Sequence, residues 1–588
     1  MDNAAIAAVF YEMAQLLEFR GENPFRVRAY QNGARAIAEL EEPVSEIVSD
    51  PDRDLAKIPG IGKTLAEKTD VLLRKGVLPQ LEQLRAAIPE VVIQMAGIPG
   101  LGAKKAAKLR DELGIESLDD LSAACREGRV AALKGFGKKT EAAILDGLSI
   151  AKAAAARIYW SEADELVASL TDYMETCTAI TKMEWAGSYR RGRDTVGDLD
   201  LLAVANDRNN AMDHLERFPG RVATIARGDT KMSIRVSASA KASAFQIDLR
   251  IVNSEEFGAA LQYFTGSQAH NIRVRRIAKD HGFKVNEYGV FRLNDDERVT
   301  GQAEADVYAS IGLPWIPPEL REDRIEFKAL EVGGGLPNLI TTDRIQGDLH
   351  MHTTATDGQN TIREMADAAL DRGLRYIAIT DHSQRVSMAS GLTPERLREQ
   401  WKVIDEIRPE YDGRLTILKG IECDILESGE MDLPDDVLAE GDWILASIHY
   451  GQRQPRDQIT DRILGAIENP NVHCIAHPTG RLINKRDAYD VDMDTVMRAA
   501  AEHKTLMELN ANPARLDLNE IHLALARRHG IGLVINTDAH STHGLGVMRY
   551  GVMQARRGGL TAEDVLNTLS TDDFLVQCGS NSKVESPP

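Results

Sequence analysis

Tyr376-Ile-Ala-Ile-Thr-Asp-His382 sets the reading of the C-terminal part of the chain. Four apolar residues, too few for a helix, run straight into Asp and His, as a buried parallel strand does when its C-terminal end carries chemistry. Six further stretches share this form: Gly347-Asp-Leu-His350, Thr416-Ile-Leu-Lys-Gly-Ile-Glu422, Trp443-Ile-Leu-Ala-Ser-Ile-His449, Val472-His-Cys-Ile-Ala-His477, Thr505-Leu-Met-Glu-Leu-Asn510 and Gly532-Leu-Val-Ile-Asn-Thr-Asp-Ala-His540. Helical patterns such as 362–372 and 393–407 fall between them. Strand–helix alternation of this kind builds a parallel sheet or barrel.

Six of the seven strands end in His, Asp or Glu, and strand C-termini converge on one face of a parallel barrel. The candidate ligands are His350, His352, Asp357, His382, Glu422, His449, His477, Asp538 and His540. Six imidazoles with three carboxylates and no thiolate suit Zn²⁺, Mn²⁺ or Fe²⁺ rather than a structural zinc knot. Nine ligands exceed what one ion needs, so two or three ions sharing a carboxylate are expected, an arrangement that activates water and stabilises displacement at phosphorus. Any one histidine has a plain reading as a strand cap, but six strand ends at once do not. His214, His270, His281, His473, His503, His522, His529 and His543 lack this context and read as surface or packing residues. Arg481, four residues past His477, is a candidate phosphate ligand, with a solvated arginine as the plain alternative.

Upstream, the texture from about 186 to 252 is that of strands. Gly187-Ser188-Tyr189-Arg190-Arg191-Gly192 precedes Gly197-Asp198-Leu199-Asp200, and Asp248 lies inside an apolar strand, where it needs a cation partner. Asp198 and Asp200 share a strand face. If the strand of Asp248 is their neighbour, three carboxylates form an oxygen site for two Mg²⁺ or Mn²⁺ ions. The turn's N–H groups, with Ser188 and Arg191, would hold a triphosphate tail. Asp-x-Asp alone is weak; the Gly-Ser turn before it and the buried-type Asp after it give it weight.

Residues 1–150 read as helices joined by Gly-x-Gly hairpins: Pro59-Gly60-Ile61-Gly62-Lys63, Pro99-Gly100-Leu101-Gly102 and Lys134-Gly135-Phe136-Gly137-Lys138. Their first glycines are 40 and 35 residues apart, which suggests a reused helix–turn–helix unit. Such hairpins offer N–H groups to a phosphate without reading sequence, and Lys63, Lys104, Lys105, Lys108, Lys138 and Lys139 add charge. A single such hairpin is usually a turn and a lysine run a solvated face; three hairpins favour DNA contact.

The chain has 588 residues, enough for about four domains at roughly 150 residues each. Its 43% hydrophobic and 27% charged residues exclude wholesale disorder. A net charge of −20 argues against an all-basic surface but allows a local basic track. Five scattered cysteines without a Cys-x-x-Cys pair argue against a disulfide framework. With no signal-type start and no apolar run of ~20 residues, a cytoplasmic protein without membrane attachment is expected.

The C-terminal part resembles the PHP (polymerase and histidinol phosphatase) phosphoesterase family through Gly347–His352, Thr356-Asp-Gly358, Thr380–Ser383, Gly420–Cys423, Ser447–His449, Ala476–Pro478 and Asn536–His540. The resemblance implies a seven-stranded distorted barrel with a trinuclear site on the nine candidates, none of them substituted. The middle resembles the bacterial-type family X DNA polymerases, of the nucleotidyltransferase superfamily. There Tyr263-Phe264-Thr265-Gly266-Ser267 matches the nucleotide-binding segment. The match implies that Tyr263 and Phe264 pack on the incoming nucleotide, with Tyr263 refusing a ribose 2′-OH. It also implies that Asn271 and Arg275 contact the nascent pair and the template. Gly282–Tyr288 and Trp315–Glu319 fit the thumb. Gln246 departs from the pattern, standing where DNA polymerase beta has an arginine thought to assist the primer 3′-OH. Asn23–Tyr30 with Ile58–Lys68 resembles the amino-terminal lyase-type domain, implying a 5′-phosphate pocket of Arg26, Arg28 and Tyr30. Lys68 falls on the Schiff-base lysine, its plain reading being a DNA-contacting lysine.

Together these imply a multidomain α/β chain with a lyase-type helical domain at 1–85, a fingers-type helix-hairpin-helix region at 86–155, a nucleotidyltransferase palm at 156–253 and a thumb at 254–320. A linker at 321–345, a (β/α)7 TIM-like PHP barrel at 346–579 and a tail at 580–588 complete it. The expected function is gap filling on gapped or nicked DNA from dNTPs by a monomer, in base excision or end-joining repair. With it come 3′→5′ exonuclease and related AP-endonuclease or 3′-phosphatase chemistry. The rivals are a small-molecule phosphatase tethered to DNA and a non-catalytic repair scaffold.

Overall fold

The computed structural model describes residues 6–148 with interruptions, then 157–237 and 244–580. The chain falls into two compact units that part between Ala156 and Arg157. Among the described residues no helix is long and apolar enough to cross a membrane, and all five cysteines are buried free thiols.

The first unit is helical, with α1 (Pro24–Ala38), α2 (Lys63–Lys75), α3 (Ala103–Leu113) and α4 (Leu118–Arg126) among its elements. One apolar cluster runs from Ile6 to Leu84 and a second from Val91 to Leu148. Two hairpins share one geometry. Gly60 and Gly135 take φ of +94° and +95°, and the N–H of the next residue donates three residues back, Ile61 to the Ile58 carbonyl and Phe136 to the Leu133 carbonyl, each at 3.0 Å. A β-carbon on Gly62 or Gly137 would meet nothing within 4 Å, so both turns present open backbone. The second expected hairpin lies outside the described residues, apart from Leu101.

The second unit opens with α5 (Trp160–Glu175) and a five-stranded sheet: β1 (Ile180–Trp185), β2 (Leu199–Ala205), β3 (Arg221–Arg227), β4 (Lys231–Ser237) and β5 (Ala244–Ile251), ordered β1-β2-β5-β4-β3. The Gly187 turn is a four-residue helix, α6 (Gly187–Arg190). β2 and β5 run parallel with Asp200 opposite Asp248, the neighbour relation that the carboxylate reading required.

Next come α7 (Phe257–Thr265), α8 (Gln268–Asp280), a three-stranded sheet of β6 (Phe283–Asn286), β7 (Gly289–Arg292) and β8 (Arg298–Thr300), and α9 (Glu304–Ser310). Ser267 caps α8 through His270 N–H, which sets Asn271 and Arg275 one turn apart on one face. The stretch read as a linker is not loose. Arg321 and Glu326 are fully buried, and α10 (Glu326–Glu331) packs Phe327 into the core formed by α8 and α9. Its Gly, Pro and Glu content reads as solvated because the partners that permit burial, Glu304 for Arg321 (2.5 Å) and His270 for Glu326 (2.9 Å), are distant in sequence.

The remainder is a seven-stranded parallel sheet in sequential order: β9 (Gly347–Asp348), β10 (Tyr376–Ile379), β11 (Thr416–Asp424), β12 (Trp443–Ser447), β13 (Cys474–Ile475), β14 (Leu506–Asn510) and β15 (Leu533–Asn536). Helices α11 (Ile362–Asp371), α12 (Pro394–Tyr411), α13 (Arg456–Glu468), α14 (Met493–His503), α15 (Glu520–Arg528) and α16 (Met548–Arg557) cover it. Past the strand ends, His352 N–H bonds the Ala539 carbonyl at 2.8 Å, bringing the first and last strands nearly to closure.

Candidate nucleotide cleft and metal centre

The strand β2 begins one residue after Asp198 and carries Asp200 beside Asp248 on β5. Gly187 presses against this group: its φ is +65°, and a β-carbon there would lie 2.6 Å from Asp200 Oδ2. A cleft of about 720 Å³ is lined by Gly187, Ser188, Arg191, Asp198, Asp200, Tyr263, Phe264, Gly266, Asn271 and Arg275, joined by Arg157 and Arg193. Ten of the residues singled out in sequence therefore share one cavity wall. Asp248 stands behind it, nearly buried, and Gly197 packs on the Arg157 guanidinium.

Asp198 and Asp200 are under-compensated, whereas Asp248 has a lysine partner. Burial, then Asp198 and Asp248, push the Asp200 carboxyl up to about 6. Burial and Asp248 raise Asp198 as well. Asp248 goes the other way: burial opposes its charge, but hydrogen bonds from Lys231, Ser233 and Gln246 hold it below the usual carboxylate range. Lys231 Nζ lies 2.6 Å from its Oδ2 and Gln246 Nε2 donates to its Oδ1 at 3.0 Å. Neighbouring acids that raise one another's carboxyls, Asp198 and Asp200 beside Asp248, suit divalent cations. Lys231 escaped the sequence reading because a lysine leading an exposed-looking strand gives no sign of its cross-strand partner.

Around this core, Tyr263 and Phe264 meet edge to face at 5.2 Å, and the Arg250 guanidinium lies 4.3 Å from the Phe264 ring centre. The Asn271 amide is engaged internally, donating to the Tyr263 carbonyl at 2.7 Å and accepting from Gln262 at 2.8 Å. Arg191 pairs with Glu322 at 3.0 Å and also donates to the Thr265 carbonyl.

In the barrel, seven of the nine candidate ligands lie within four residues of the ends of their strands; Asp357 is on the turn that follows the first strand, and Glu422 is inside one. Ring centres of His350 and His352 are 5.2 Å apart, His352 and His382 4.3 Å, His352 and His540 4.2 Å, His382 and His449 5.0 Å, and His449 and His477 5.6 Å. Three groups have ligand atoms within 4.8 Å of one another: His352–Asp357–His382–His540, His350–His352–Asp538 and His382–Glu422–His449. His477 Nε2 approaches Glu422 at 2.9 Å. His350 Nε2 and both ring nitrogens of His352 are buried without a well-formed hydrogen bond, and lone pairs left so among carboxylates suit a cation. His477 and Asp538 hold φ of +31° and +53°, left-handed values that are costly for such residues and are found where a site over-determines the backbone. His540 and Asp357 are each 37% exposed, marking the open side.

Charge follows the same geometry. Burial, then His382 and His540, press His352 down to about 3, so it stays a neutral ligand. Burial opposes a charge on His382, but Glu422 and Asp357 lift it to about 10. Glu508, Asp424 and Asn510 were not singled out. Glu508 accepts from His350 Nδ1 at 2.7 Å, Asp424 accepts the His449 N–H at 2.8 Å, and Asn510 donates to Asp538 at 3.0 Å. Arg481 is mostly buried and not solvated: it pairs with Asp194 at 3.3 Å and donates to the Arg515 and Leu516 carbonyls.

In the first unit, Tyr30 is buried against Phe10, and Lys68 donates to Gln80 with its ammonium 5.6 Å from the Tyr30 ring centre. Arg26 and Arg28 are exposed.

Known families match the chain along its length. The matches are to a helix-hairpin-helix domain over residues 1–78, a SAM-like helix-hairpin-helix tandem over 92–149, the DNA polymerase beta palm over 157–249, the DNA polymerase beta thumb over 260–322 and the PHP domain over 348–525. The DNA polymerase/3′-5′ exonuclease PolX of Bacillus subtilis (strain 168) is 41% identical over 573 residues, spanning 97% of this chain and 98% of that protein. A probable phosphatase of Thermoanaerobacter sp. (strain X514) is 30% identical over 233 residues, 38% of this chain and 89% of its own length. One from Acetivibrio thermocellus is 31% identical over 209 residues, 34% of this chain and 81% of its own.

Proposed function

This chain belongs to the bacterial PolX family of DNA polymerase/3′-5′ exonucleases, and from that premise we propose how its residues divide the work. It is a DNA-directed DNA polymerase with a PHP-domain 3′→5′ exonuclease, acting on DNA and dNTPs. Our reading assigns nucleotidyl transfer to the cleft of Asp198, Asp200 and Asp248, and hydrolysis to the nine barrel ligands. Divalent ions bound at either site would supply Lewis acidity and offset charge during displacement at phosphorus. The all-carboxylate set suits Mg²⁺ or Mn²⁺, and the imidazole-rich set suits Zn²⁺, Mn²⁺ or Fe²⁺.

Ser188, Arg191 and the turn's N–H groups hold the triphosphate, and Tyr263 and Phe264 floor the sugar and base. Arg275 faces the template strand, while Asn271, its amide spent on Tyr263 and Gln262, fixes the aromatic pair. The hairpins at Gly60 and Gly135 grip the duplex through phosphates, and Lys68 with Tyr30, Arg26 and Arg28 serves a 5′-phosphate end. That combination supports short-gap filling in repair. Two complete donor sets on one chain, one of carboxylates and one rich in imidazole, carry the proposal.

A 5′-labelled primer on gapped DNA, with dNTPs and Mn²⁺, tests it. Asp200→Ala should abolish extension and spare shortening; His352→Ala should do the reverse. A wild-type protein that leaves primer length unchanged overturns the reading. The barrel's likeness to probable phosphatases favours one added activity, removal of a 3′-phosphate from a blocked primer. Release of phosphate that His352→Ala abolishes is the expected result.

A further inference from the structure

Helix α16, which follows the barrel's last strand, lays one face on the back of the nucleotide turn. Arg549 pairs with Asp164 at 2.7 Å, and the Tyr550 ring meets Trp160 edge to face at 5.4 Å. Met553 sits where a β-carbon on Gly192 would come within 2.5 Å, and Arg557 donates to the Arg191 carbonyl at 2.9 Å. Positions 550, 553 and 557 recur at helical spacing, so this is a docking face and not a chance touch. Trp160 passes the contact on. It stacks on Tyr189 at 5.7 Å and donates to the Tyr189 carbonyl at 2.9 Å, while Tyr189 OH donates to Asp164 at 2.7 Å.

Charge ties the same parts together. Glu322 bridges Arg191 at 3.0 Å and Arg557 at 3.3 Å; Arg557, essentially buried, pairs with Glu520 at 2.6 Å. Beside it, the loop after His477 reaches the other wall of the cleft. Asn484 donates to the Arg157 carbonyl at 2.7 Å, and Tyr159 donates to the Ile483 carbonyl at 2.8 Å. Four helical residues entered through a left-handed glycine have no stability of their own, so their geometry must be fixed from outside. A binding turn held rigid binds tighter than one that must be ordered by its ligand.

We propose that the PHP barrel is a positioning element for polymerisation: Arg557 and its partner Glu322, together with the α16 face, hold the Gly187–Gly192 turn and Arg191 in the geometry that binds the triphosphate of a deoxynucleotide. The barrel thereby contributes to nucleotide affinity apart from its own hydrolysis. This rests on the assignment of the cleft to dNTP binding.

The test uses the full-length protein, with gap-filling kinetics and exonuclease rate measured on the same preparation. Arg557→Met should raise the KM for dNTP about tenfold and Glu322→Gln several-fold, with kcat changed less than twofold and exonuclease within twofold of wild type. A purely structural role would lower both activities together or leave KM alone. Should Arg557→Met lose both activities through misfolding, the isosteric Glu322→Gln decides. A dNTP KM within twofold of wild type in Glu322→Gln, with exonuclease intact, overturns the proposal. A wild-type protein that does not extend primers instead sinks the underlying cleft assignment, and does so before any substitution is made.

Discussion

Glu508 holds His350 from behind: the Nδ1 hydrogen points at a carboxylate oxygen 2.7 Å away, which leaves Nε2 to face the cluster of Glu422 and Asp538. Burial works against the Glu508 charge, but His350 keeps it below the usual carboxylate range, so the oxygen accepts and the tautomer is fixed. Partners of this kind orient a ligand, and their loss typically costs ~10–100-fold in metal affinity or activity. Glu508→Gln should therefore raise the Mn²⁺ concentration needed for half-maximal exonuclease by that order and leave primer extension unchanged. An unshifted Mn²⁺ titration would show that Glu508 only fills space.

Glu508 shows where sequence reading stopped. Period-two alternation and apolar runs placed the strands, and the residues at their ends supplied the ligands. Glu508 sits mid-strand in Thr505-Leu-Met-Glu-Leu-Asn510, the same signal, an acid in an apolar strand, that singled out Asp248. Counting only terminal residues hid it, and counting only His, Asp and Glu among them passed over Asn510, which orients Asp538. Lys231, the partners of Arg481 and the α16 face were invisible for another reason. Their meaning lies in partners on other strands or in other domains, and Arg557 meets Arg191 across 366 residues of chain. The stretch after Leu320 was misjudged for the same cause, since its buried charges look solvated until Glu304 and His270 are placed beside them.

Gly187 is where the nucleotide turn has no room to give. Its φ of +65° and the 2.6 Å separation between a built β-carbon and Asp200 Oδ2 mean that alanine must displace either the turn or the carboxylate. A shift of about 1 Å at such a site can cost roughly 100-fold in rate. Gly187→Ala should lose about that much polymerase activity and keep exonuclease. Near-normal extension by this variant would mean that the turn and Asp200 move freely, contrary to the packing seen.

Lys138 and Lys139 stand exposed on the helical stretch that leaves the Gly135 hairpin, whose open backbone suits a phosphate. Each lysine that neutralises a phosphate contributes about 0.9 to the slope of log K against log salt concentration. The double change to alanine should weaken binding to gapped DNA equally for all sequences and reduce the slope by about 2. The thermal midpoint should not move, because neither side chain is packed. A loss confined to one DNA sequence, or an unchanged slope, would remove the hairpin from the DNA interface.

Glu322 gives the link between palm and barrel a pH signature. Burial opposes its charge, but Arg191, then Arg557 and Arg193, hold its carboxyl down to about 2, against 4.5 for a free glutamate. A carboxylate depressed in the folded state contributes stability that is complete above the unfolded value and fades as pH falls toward the folded one. The contribution is ~3 kcal/mol, present from neutral pH to about 5 and lost between about 4.5 and 2. Glu322→Gln, which cannot titrate, should therefore be less stable than wild type by a constant margin above pH 5, with the two denaturation midpoints converging as the pH is lowered through 4. A margin that stays constant down to pH 3 would show that Glu322 does not carry its charge into this network.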